Sequence, residues 1–318
     1  MRATPYVYAA AAVFLLGVPL VGIYPVFMMK LLCFAMFACA YNLLLGFCGM
    51  LSFGHAAFFG SAAYITAWLA ATHGFGPGVA ILGGVAVAAA LGAVIGAIAI
   101  RRRGIYFAMI TLALAQLVYF VCLEAPFTGG ENGLQSVPRG TLLGVLPLRN
   151  DLVMYYFVLA VFIVVFAFIR RIVHSPFGQV LKAIRENEAR ATSLGYEVNR
   201  YKLVAFVLSA TLSGVAGSLK ALVLSFATLS DVLQANSGEV ILMTLVGGTG
   251  TFAGPVVGAT LVVTLQEYLS EIVGGWVTVI IGGVFIVCVL LFRRGIVGEL
   301  ATLRLRGRRS AAAADGSQ

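Results

Sequence analysis

The histidines and cysteines are the residues best suited to catalysis or metal binding, and their spacing supports neither. His55, His73 and His174 lie far apart, and no carboxylate or cysteine accompanies them at ligand spacing. The five cysteines lie in or beside apolar runs without the paired spacing of a zinc site: Cys33, Cys39, Cys48, Cys122 and Cys288. We therefore expect the cysteines to be packing residues and His55 to pack or to start a helix. We expect no metal, no cofactor and no enzymatic activity.

A phosphate-binding loop is also missing from the sequence. The G-x-x-x-x-G-K-[ST] motif holds nucleotide phosphates with backbone N–H groups and a lysine. The nearest run, Gly247–Gly254, contains no lysine. If ATP drives this protein, another chain must bind and hydrolyse it.

The composition is typical of a membrane protein. Of the 318 residues, 61% are hydrophobic and 10% are charged, whereas about 25% of residues are charged in a soluble domain. The apolar runs are roughly 17 to 25 residues long, which suits a hydrocarbon core about 30 Å thick. The net charge of +9 comes from Lys and Arg at the ends of these runs, unlike the wettable basic face of a nucleic-acid binder. The sequence predicts one transmembrane domain, residues 1–318.

Hydropathy predicts an all-α polytopic fold with about ten membrane helices. The expected segments are Tyr6–Tyr24, Met28–Phe47, Gly54–Ala71, Gly78–Ile100, Gly104–Leu123, Asp151–Ile169, Tyr201–Leu224, Ser237–Gly248, Phe252–Leu269 and Trp276–Phe292. The eighth segment is too short for a full crossing. We expect the first segment to be retained, because no small-residue cleavage pattern follows it.

Basic clusters predict the orientation, because Lys and Arg are retained on the cytoplasmic side of inserted helices. The clusters are Arg101–Arg103, residues 170–202 and the tail, residues 293–318. With ten crossings, all three clusters and both termini lie in the cytoplasm. Lys220 then falls near the outer end of its helix, and we expect its ammonium group to reach outward.

The cytoplasmic loop, residues 170–200, has the pattern of an amphipathic helix. Ser175 can cap a helix that begins at Pro176, and Gly195 can end it in a left-handed conformation. Apolar residues recur at helical spacing: Phe177, Val180, Leu181, Ile184, Ala191 and Leu194. The opposite face mixes both signs of charge, which suits a groove on a protein. A membrane-surface helix, which is usually rich in Lys and Arg, is the alternative.

Two glycine-rich runs are predicted to break helices. The first glycine turn, residues 46–55, reads GFCGMLSFGH, and the second glycine turn, residues 247–255, reads GGTGTFAGP. Non-helical backbone at membrane depth requires surrounding protein or a watery cavity. We therefore predict that these turns line or gate a pore. The candidate residues are Gly49, Ser52, Gly54, His55, Gly247, Gly248, Gly250 and Gly254.

Four stretches between Tyr41 and Leu291 carry a family resemblance. They are YNLLLGFCGMLSFGHAAFFGSAAYITAWL, TGGENGL, SPFGQVLKAIRENEARATSLGYEVNRYKLVAF and LVGGTGTFAGPVVGA. Together they resemble the LivM-type branched-chain amino-acid permeases of ABC importers. The resemblance implies a type II importer-like permease subunit in a bacterial inner membrane. Its expected substrates are branched-chain or related amino acids.

The resemblance also implies partners: a second permease of the LivH type, two ATP-binding subunits and a periplasmic or surface binding protein. The loop helix would be the coupling helix that docks on the ATPases. The residues implied in this coupling are Arg185, Glu186, Asn187, Glu188, Ala189 and Gly195. The chain departs from the general importer motif, since the glycine lies one residue further from the glutamate and Arg190 replaces an alanine.

Other functions remain open on the sequence alone. A permease for sugars, nucleosides, urea or amides would use the same mechanism. An ion-coupled carrier would need ionisable groups at mid-membrane, and the sequence places none there clearly. The long outer loop, residues 124–150, is either a flexible connector or a docking surface for the binding protein.

Overall fold

The computed structural model describes residues 17, 24–142, 146–291 and 295–299, and most of them are helical. The helices are α1 (Pro25–Asn42), α2 (His55–Ala71), α3 (Pro77–Ala99), α4 (Ile105–Glu124), α5 (Asp151–His174), α6 (Pro176–Glu186), α7 (Glu188–Ser193), α8 (Val198–Leu224), α9 (Gln234–Gly247), α10 (Gly254–Val273) and α11 (Val277–Leu291). Single helical turns cover Pro126–Thr128, Gly130–Asn132, Leu229–Asp231 and Gly274–Trp276. Two short strands, β1 (Thr141–Leu142) and β2 (Leu146–Pro147), pair antiparallel.

Nine of the ten predicted segments correspond to helices in the described residues. Five stretches are long and apolar enough to cross a membrane: Pro25–Cys48, Pro77–Ala99, Ile105–Glu124, Asp151–His174 and Val198–Leu224. The predicted segment Tyr6–Tyr24 and most of the tail, residues 293–318, lie outside the described residues. The all-helical class is confirmed, and the number of ten crossings stays a prediction.

Helix α8 is central and packs against α1, α2 and α3. Small residues allow these close contacts. A side chain on Gly217 would overlap the backbone carbonyl of Phe59, and a Cβ on Gly92 would lie 2.6 Å from Cβ of Ala210. Hydrophobicity does not drive helices together in lipid, so close van der Waals contact between small residues takes its place.

Most of the cysteines have the packing role that the sequence predicts. Four of the five are buried with free thiols: Cys33, Cys39, Cys48 and Cys122. Among the described residues, no group of three or more His, Cys, Asp or Glu side chains could hold a metal ion.

Ion pairs identify which loops share an end of the bundle. Nε of Arg103 lies 3.2 Å from Oε1 of Glu188, which joins the loop before α4 to the loop of α6 and α7. We call this end the basic end. At the opposite end, near the start of α1, Nζ of Lys30 lies 2.7 Å from Oε2 of Glu267 in α10. The predicted placement of residues 101–103 and 170–200 on one side is therefore confirmed.

The prediction that Lys220 reaches outward is wrong. Lys220 is only 4% exposed, and its Nζ lies 2.7 Å from Oδ2 of the buried Asp231. The rise along α8 does place Lys220 near the helix end. The chain after α8 then folds back over that end, and the ammonium group pairs with a carboxylate inside the protein.

The long loop, residues 124–150, is fastened to the end of α8. Leu134 and Ala227 exchange backbone hydrogen bonds of 2.9 Å in both directions. The guanidinium of Arg139 donates to the carbonyl of Val223 at 2.7 Å and pairs with Asp151 at 2.5 Å. These contacts argue against the flexible connector, and the docking surface stays a prediction.

Candidate functional site

The loop of residues 170–200 folds as two helices, so the prediction of one continuous helix is wrong. Oγ of Ser175 accepts a hydrogen bond from N–H of Gly178, and Pro176 begins α6, as predicted. The backbone then becomes extended at Asn187, with φ −156°, and Oδ1 of Asn187 accepts from N–H of Arg190 at 3.0 Å. Asparagine is a strong N-cap, and its side chain competes with the continuing helix for backbone N–H groups. Gly195, with φ +87°, follows the end of α7 as expected.

The predicted apolar face of this loop is only partly correct. Leu181, Ile184 and Ala191 are buried, whereas Leu194 is 70% exposed. Ala191 of α7 still packs in one buried cluster with Ile184 of α6, whereas the break at Asn187 leaves Leu194 outside that cluster. Most of the predicted coupling residues are exposed: Arg185, Glu186, Asn187, Ala189 and Gly195.

Glu188 differs from the other predicted coupling residues, because its carboxylate faces cations of its own chain. Oε2 lies 2.8 Å from Nζ of Lys202 in α8, and Oε1 lies 3.2 Å from Nε of Arg103. The side chain of Glu188 is 20% exposed, and that of Lys202 is 9% exposed. Glu188 therefore fastens α7 to α8 and to the loop before α4.

The first glycine turn begins in a helical extension of α1. The helix continues through Leu43–Cys48 with the wider hydrogen-bonding pattern of a π-helix, and Gly49 ends it at φ +77°. Such wide turns are rare and occur often at functional sites. A positive φ favours glycine, because a side chain would strain the backbone there. The prediction that this run breaks a helix is confirmed.

Ser52 and His55 of this turn are enclosed by protein. His55 begins α2, and its ring nitrogens lie 3.1 Å from Oγ of Ser52 and 2.9 Å from Oγ of Ser209. Both Ser52 and His55 are fully buried, which agrees with a packing and helix-start role for the histidine. Gly54 is also buried, so Gly49 is the exposed member of the candidate pore residues in this turn.

The second glycine turn separates α9 from α10. Gly247 is the last residue of α9, and Gly254 is the first residue of α10. Between them, Gly248 and Gly250 have φ values of +117° and +75°. The predicted helix break is confirmed here too. A pore-lining role for either turn stays a prediction.

The two glycine turns contact each other through Asn42, at the end of α1. Its Nδ2 donates to the carbonyl of Thr251 at 2.9 Å, and its Oδ1 accepts from N–H of Gly250 at 3.0 Å. The rings of Phe47 and Phe252 also lie 5.4 Å apart. Asn42 therefore joins the end of α1 to the second glycine turn.

Helix α6 lies against the first glycine turn. The guanidinium of Arg185 donates to the carbonyl of Gly46, and Nζ of Lys182 lies 5.9 Å from the ring centre of Phe47. The two glycine turns and the loop between α5 and α8 therefore lie together at the basic end.

Most of the chain matches a known protein family. Residues 26–290 match the model of the branched-chain amino acid transport system permease component. The chain belongs to this family. With five stretches among the described residues that are long and apolar enough to span a membrane, this permease is a multi-pass membrane protein.

Three named relatives are similar to the permease. The high-affinity branched-chain amino acid transport system permease proteins LivM of Salmonella typhimurium and Escherichia coli (strain K12) are each 28% identical over 279 residues, which make up 80% of this chain and 65% of the relative. The probable branched-chain amino acid transport permease protein LivM of Methanocaldococcus jannaschii is 28% identical over 205 residues, 61% of this chain and 57% of that relative. The chain thus spans less than two thirds of the length of these relatives. No solved structure matches it.

Sequence reasoning missed the partners of Glu188 in this permease. Arg103 and Lys202 belong to basic clusters that indicate only the orientation of the chain. No periodicity connects them to Glu188, because the contacts join separate elements: α7, α8 and the loop before α4. The asparagine cap at Asn187 did have a local signal, since an Asn side chain can bond to the N–H group three residues later.

Proposed function

We propose that this permease is the membrane subunit of an ATP-driven importer for branched-chain or related amino acids. It would form one translocation path with a second permease of the LivH type. Two ATP-binding subunits would dock at the basic end, and a binding protein would deliver the amino acid at the opposite end. Both the basic end and the termini would then be cytoplasmic.

The observation that carries the proposal is the position of the α6–α7 loop. Its exposed residues, including Glu186, Ala189 and Arg190, offer both signs of charge to a partner at the basic end. Its other side contacts the first glycine turn through Arg185, and Glu188 fixes α7 through two ion pairs. The loop is thus exposed on one side and contacts a break between helices on the other. This position suits a segment that transmits movement from a soluble subunit to the membrane helices.

Family membership supports the transport role and the use of separate ATP-binding subunits, in accordance with the absence of a phosphate-binding loop from the sequence. The LivM relatives favour branched-chain amino acids over sugars, nucleosides, urea and amides. The buried Lys220 is an ionisable group that an ion-coupled carrier could use. It is paired with Asp231 inside the chain, so a structural role explains it.

The test is purification of the complex from native membranes through a tag on this chain, with identification of the subunits that co-purify. The complex is then reconstituted in liposomes with its binding protein. Labelled leucine, isoleucine, valine, ribose and urea are offered with and without ATP. We expect uptake of the branched-chain amino acids that requires ATP and the co-purified ATP-binding subunits.

Other results would overturn the proposal in distinct ways. Uptake of ribose or urea, without uptake of the branched-chain amino acids, would show that the substrate belongs to another class. Uptake by the isolated chain under an ion gradient, without nucleotide, would establish a carrier.

The proposed docking of the ATP-binding subunits at α7 is tested with a pair of matched variants. Ala189→Glu adds bulk and charge to an exposed position of α7, and we expect it to reduce the amount of ATP-binding subunit that co-purifies. Gln135→Glu makes a similar change in charge at an exposed position of the opposite end, and the recovery should stay at the wild-type level. Equal recovery from both variants would contradict docking at α7.

A further inference from the structure

Among the predicted coupling residues, Arg185 is the one whose charged group contacts the glycine turns of its own chain. Its guanidinium donates to the carbonyl of Gly46. A Cβ on Gly49 would lie 2.9 Å from its Cγ, and a Cβ on Gly250 would lie 3.0 Å from its Nη1. The aliphatic stem therefore lies against the first glycine turn, and the head group lies between the first and the second.

The carbonyl of Gly46 is a suitable acceptor, because it belongs to the last turn of a helix. The final four carbonyls of a helix have no partner within that helix. Cations are stabilised at this end by the helix dipole, and a hydrogen bond from a charged donor is stronger than one between neutral groups. Arg185 thus caps the end of the α1 extension from a different helix, α6.

The second glycine turn is joined to the same point by Asn42. Both polar atoms of this buried amide bond to the backbone of Gly250 and Thr251. A displacement of Gly46 relative to Gly250 would break contacts of both Asn42 and Arg185. The first turn, the second turn and α6 are therefore connected through two side chains.

We propose that Arg185 is a positioning residue that locks α6 to both glycine turns, so that the three segments move as one unit when the ATP-binding subunits displace the loop. This inference rests on the proposed function and gives Arg185 a different role from its exposed neighbours. Glu186, Ala189 and Arg190 meet the soluble partner, whereas Arg185 carries the displacement to the helix breaks.

The first test measures the separation of α6 from the first glycine turn. Spin labels are placed on the exposed positions Leu51, in the first glycine turn, and Ala183, in α6. In the complex with wild-type Arg185, the distribution of label distances should have a single narrow peak, at the same distance with and without nucleotide. Arg185→Ala should broaden this distribution. Arg102→Ala, which removes an exposed arginine from the loop before α4, should leave the distribution of label distances as narrow as in the wild type.

The second test separates coupling from folding. In reconstituted complexes with equal thermal stability and equal subunit content, Arg185→Ala should retain ATP hydrolysis. Uptake per ATP should fall by about tenfold or more, within the range of ordinary coupling between sites. Arg185→Lys should fall between Arg185→Ala and the wild type, because an ammonium group can bond to the Gly46 carbonyl but lacks the planar guanidinium that lies between the two glycine turns.

Two outcomes would overturn the inference: wild-type uptake per ATP from Arg185→Ala, or a nucleotide-dependent label distance in the wild type. If Arg185→Ala does not fold, Arg185→Lys takes its place in both tests. The label distance in the isolated chain also distinguishes this inference from the proposed function. A chain without ATP-binding partners should still show a narrow distance that Arg185→Ala broadens.

Discussion

Nζ of Lys220 lies 2.7 Å from Oδ2 of Asp231, and both side chains are buried at the end of α8. The same carboxylate oxygen accepts from N–H of Thr228 at 3.1 Å. The ammonium group also lies 4.4 Å from the ring centre of Phe226. The pair therefore connects α8 to the segment that folds back over it, and both charges have partners within the chain.

Removal of one partner of this pair should destabilise the protein strongly. Lys220→Ala leaves the Asp231 carboxylate buried without its cation, and such a change costs about 3–5 kcal/mol. We expect a large fall in the thermal unfolding temperature of the detergent-solubilised protein. Replacement of both residues, as Lys220→Met with Asp231→Leu, should recover much of the loss, because no lone charge remains. A small effect from Lys220→Ala, similar to that of the exposed Arg149→Ala, would contradict the assignment of a buried pair.

Gly217 and Gly238 provide a matched comparison of two helical glycines. A side chain on Gly217 would overlap the backbone of Phe59, whereas a Cβ on Gly238 would meet nothing within 4 Å. Gly217→Ala should separate α8 from α2 and destabilise the protein by about 1–3 kcal/mol, as overpacking usually does. Gly238→Ala should be neutral or stabilising, since alanine favours a helix by about 0.5–1 kcal/mol over glycine. Thermal unfolding measures both, and equal stabilities would show that α2 and α8 do not pack as closely as described.

The helices were predictable because hydropathy and helix breakers are local signals. The segment predicted from Gly54 to Ala71 is a helix from His55 to Ala71, and the short segment before the second glycine turn is the 14-residue α9. Length and composition determine such elements before any tertiary contact forms. The sequence also placed the two basic loops at one end, which the pair of Arg103 and Glu188 confirms.

The candidate site was only partly predictable, because its contacts join distant parts of the chain. The cap of α6 at Ser175 and the stop at Gly195 are local, and both were predicted. The bonds of Arg185 to Gly46 and of Asn42 to Gly250 depend on which turns meet in space, and no spacing rule encodes that. The burial of Lys220 was missed for the same reason, since Asp231 reaches it only after the chain reverses.

The hydrogen bonds of Asn42 should protect the backbone amides of the second glycine turn from hydrogen exchange. Asn42→Ala removes the acceptor of the Gly250 N–H and the donor to the Thr251 carbonyl. These backbone groups are partly buried, so leaving them unpaired costs at most about 1–3 kcal/mol each. We expect faster hydrogen exchange in residues 248–253 than in the wild type. Thr260→Val is the control, because its hydroxyl bonds only within α10, to the Val256 carbonyl. Unchanged exchange in Asn42→Ala would show that the turn is held by other contacts.

Glu188 and Glu186 lie two residues apart but should respond differently to loss of charge. Glu188→Gln weakens the pairs with Lys202 and Arg103, and hydrogen bonds to charged groups contribute about 1.5–3 kcal/mol. We expect faster hydrogen exchange and easier proteolysis in residues 188–196. Glu186→Gln changes an exposed residue and should leave the loop as protected as in the wild type. Glu188→Lys should reduce the protection more than Glu188→Gln does, because it places a third cation beside Lys202 and Arg103. The exchanged pair, Glu188→Lys with Lys202→Glu, should restore part of the protection. If the exchanged pair is no better than Glu188→Lys alone, the contact with Lys202 does not hold α7. Glu188 would then act through a partner protein, as its position in the family motif first suggested.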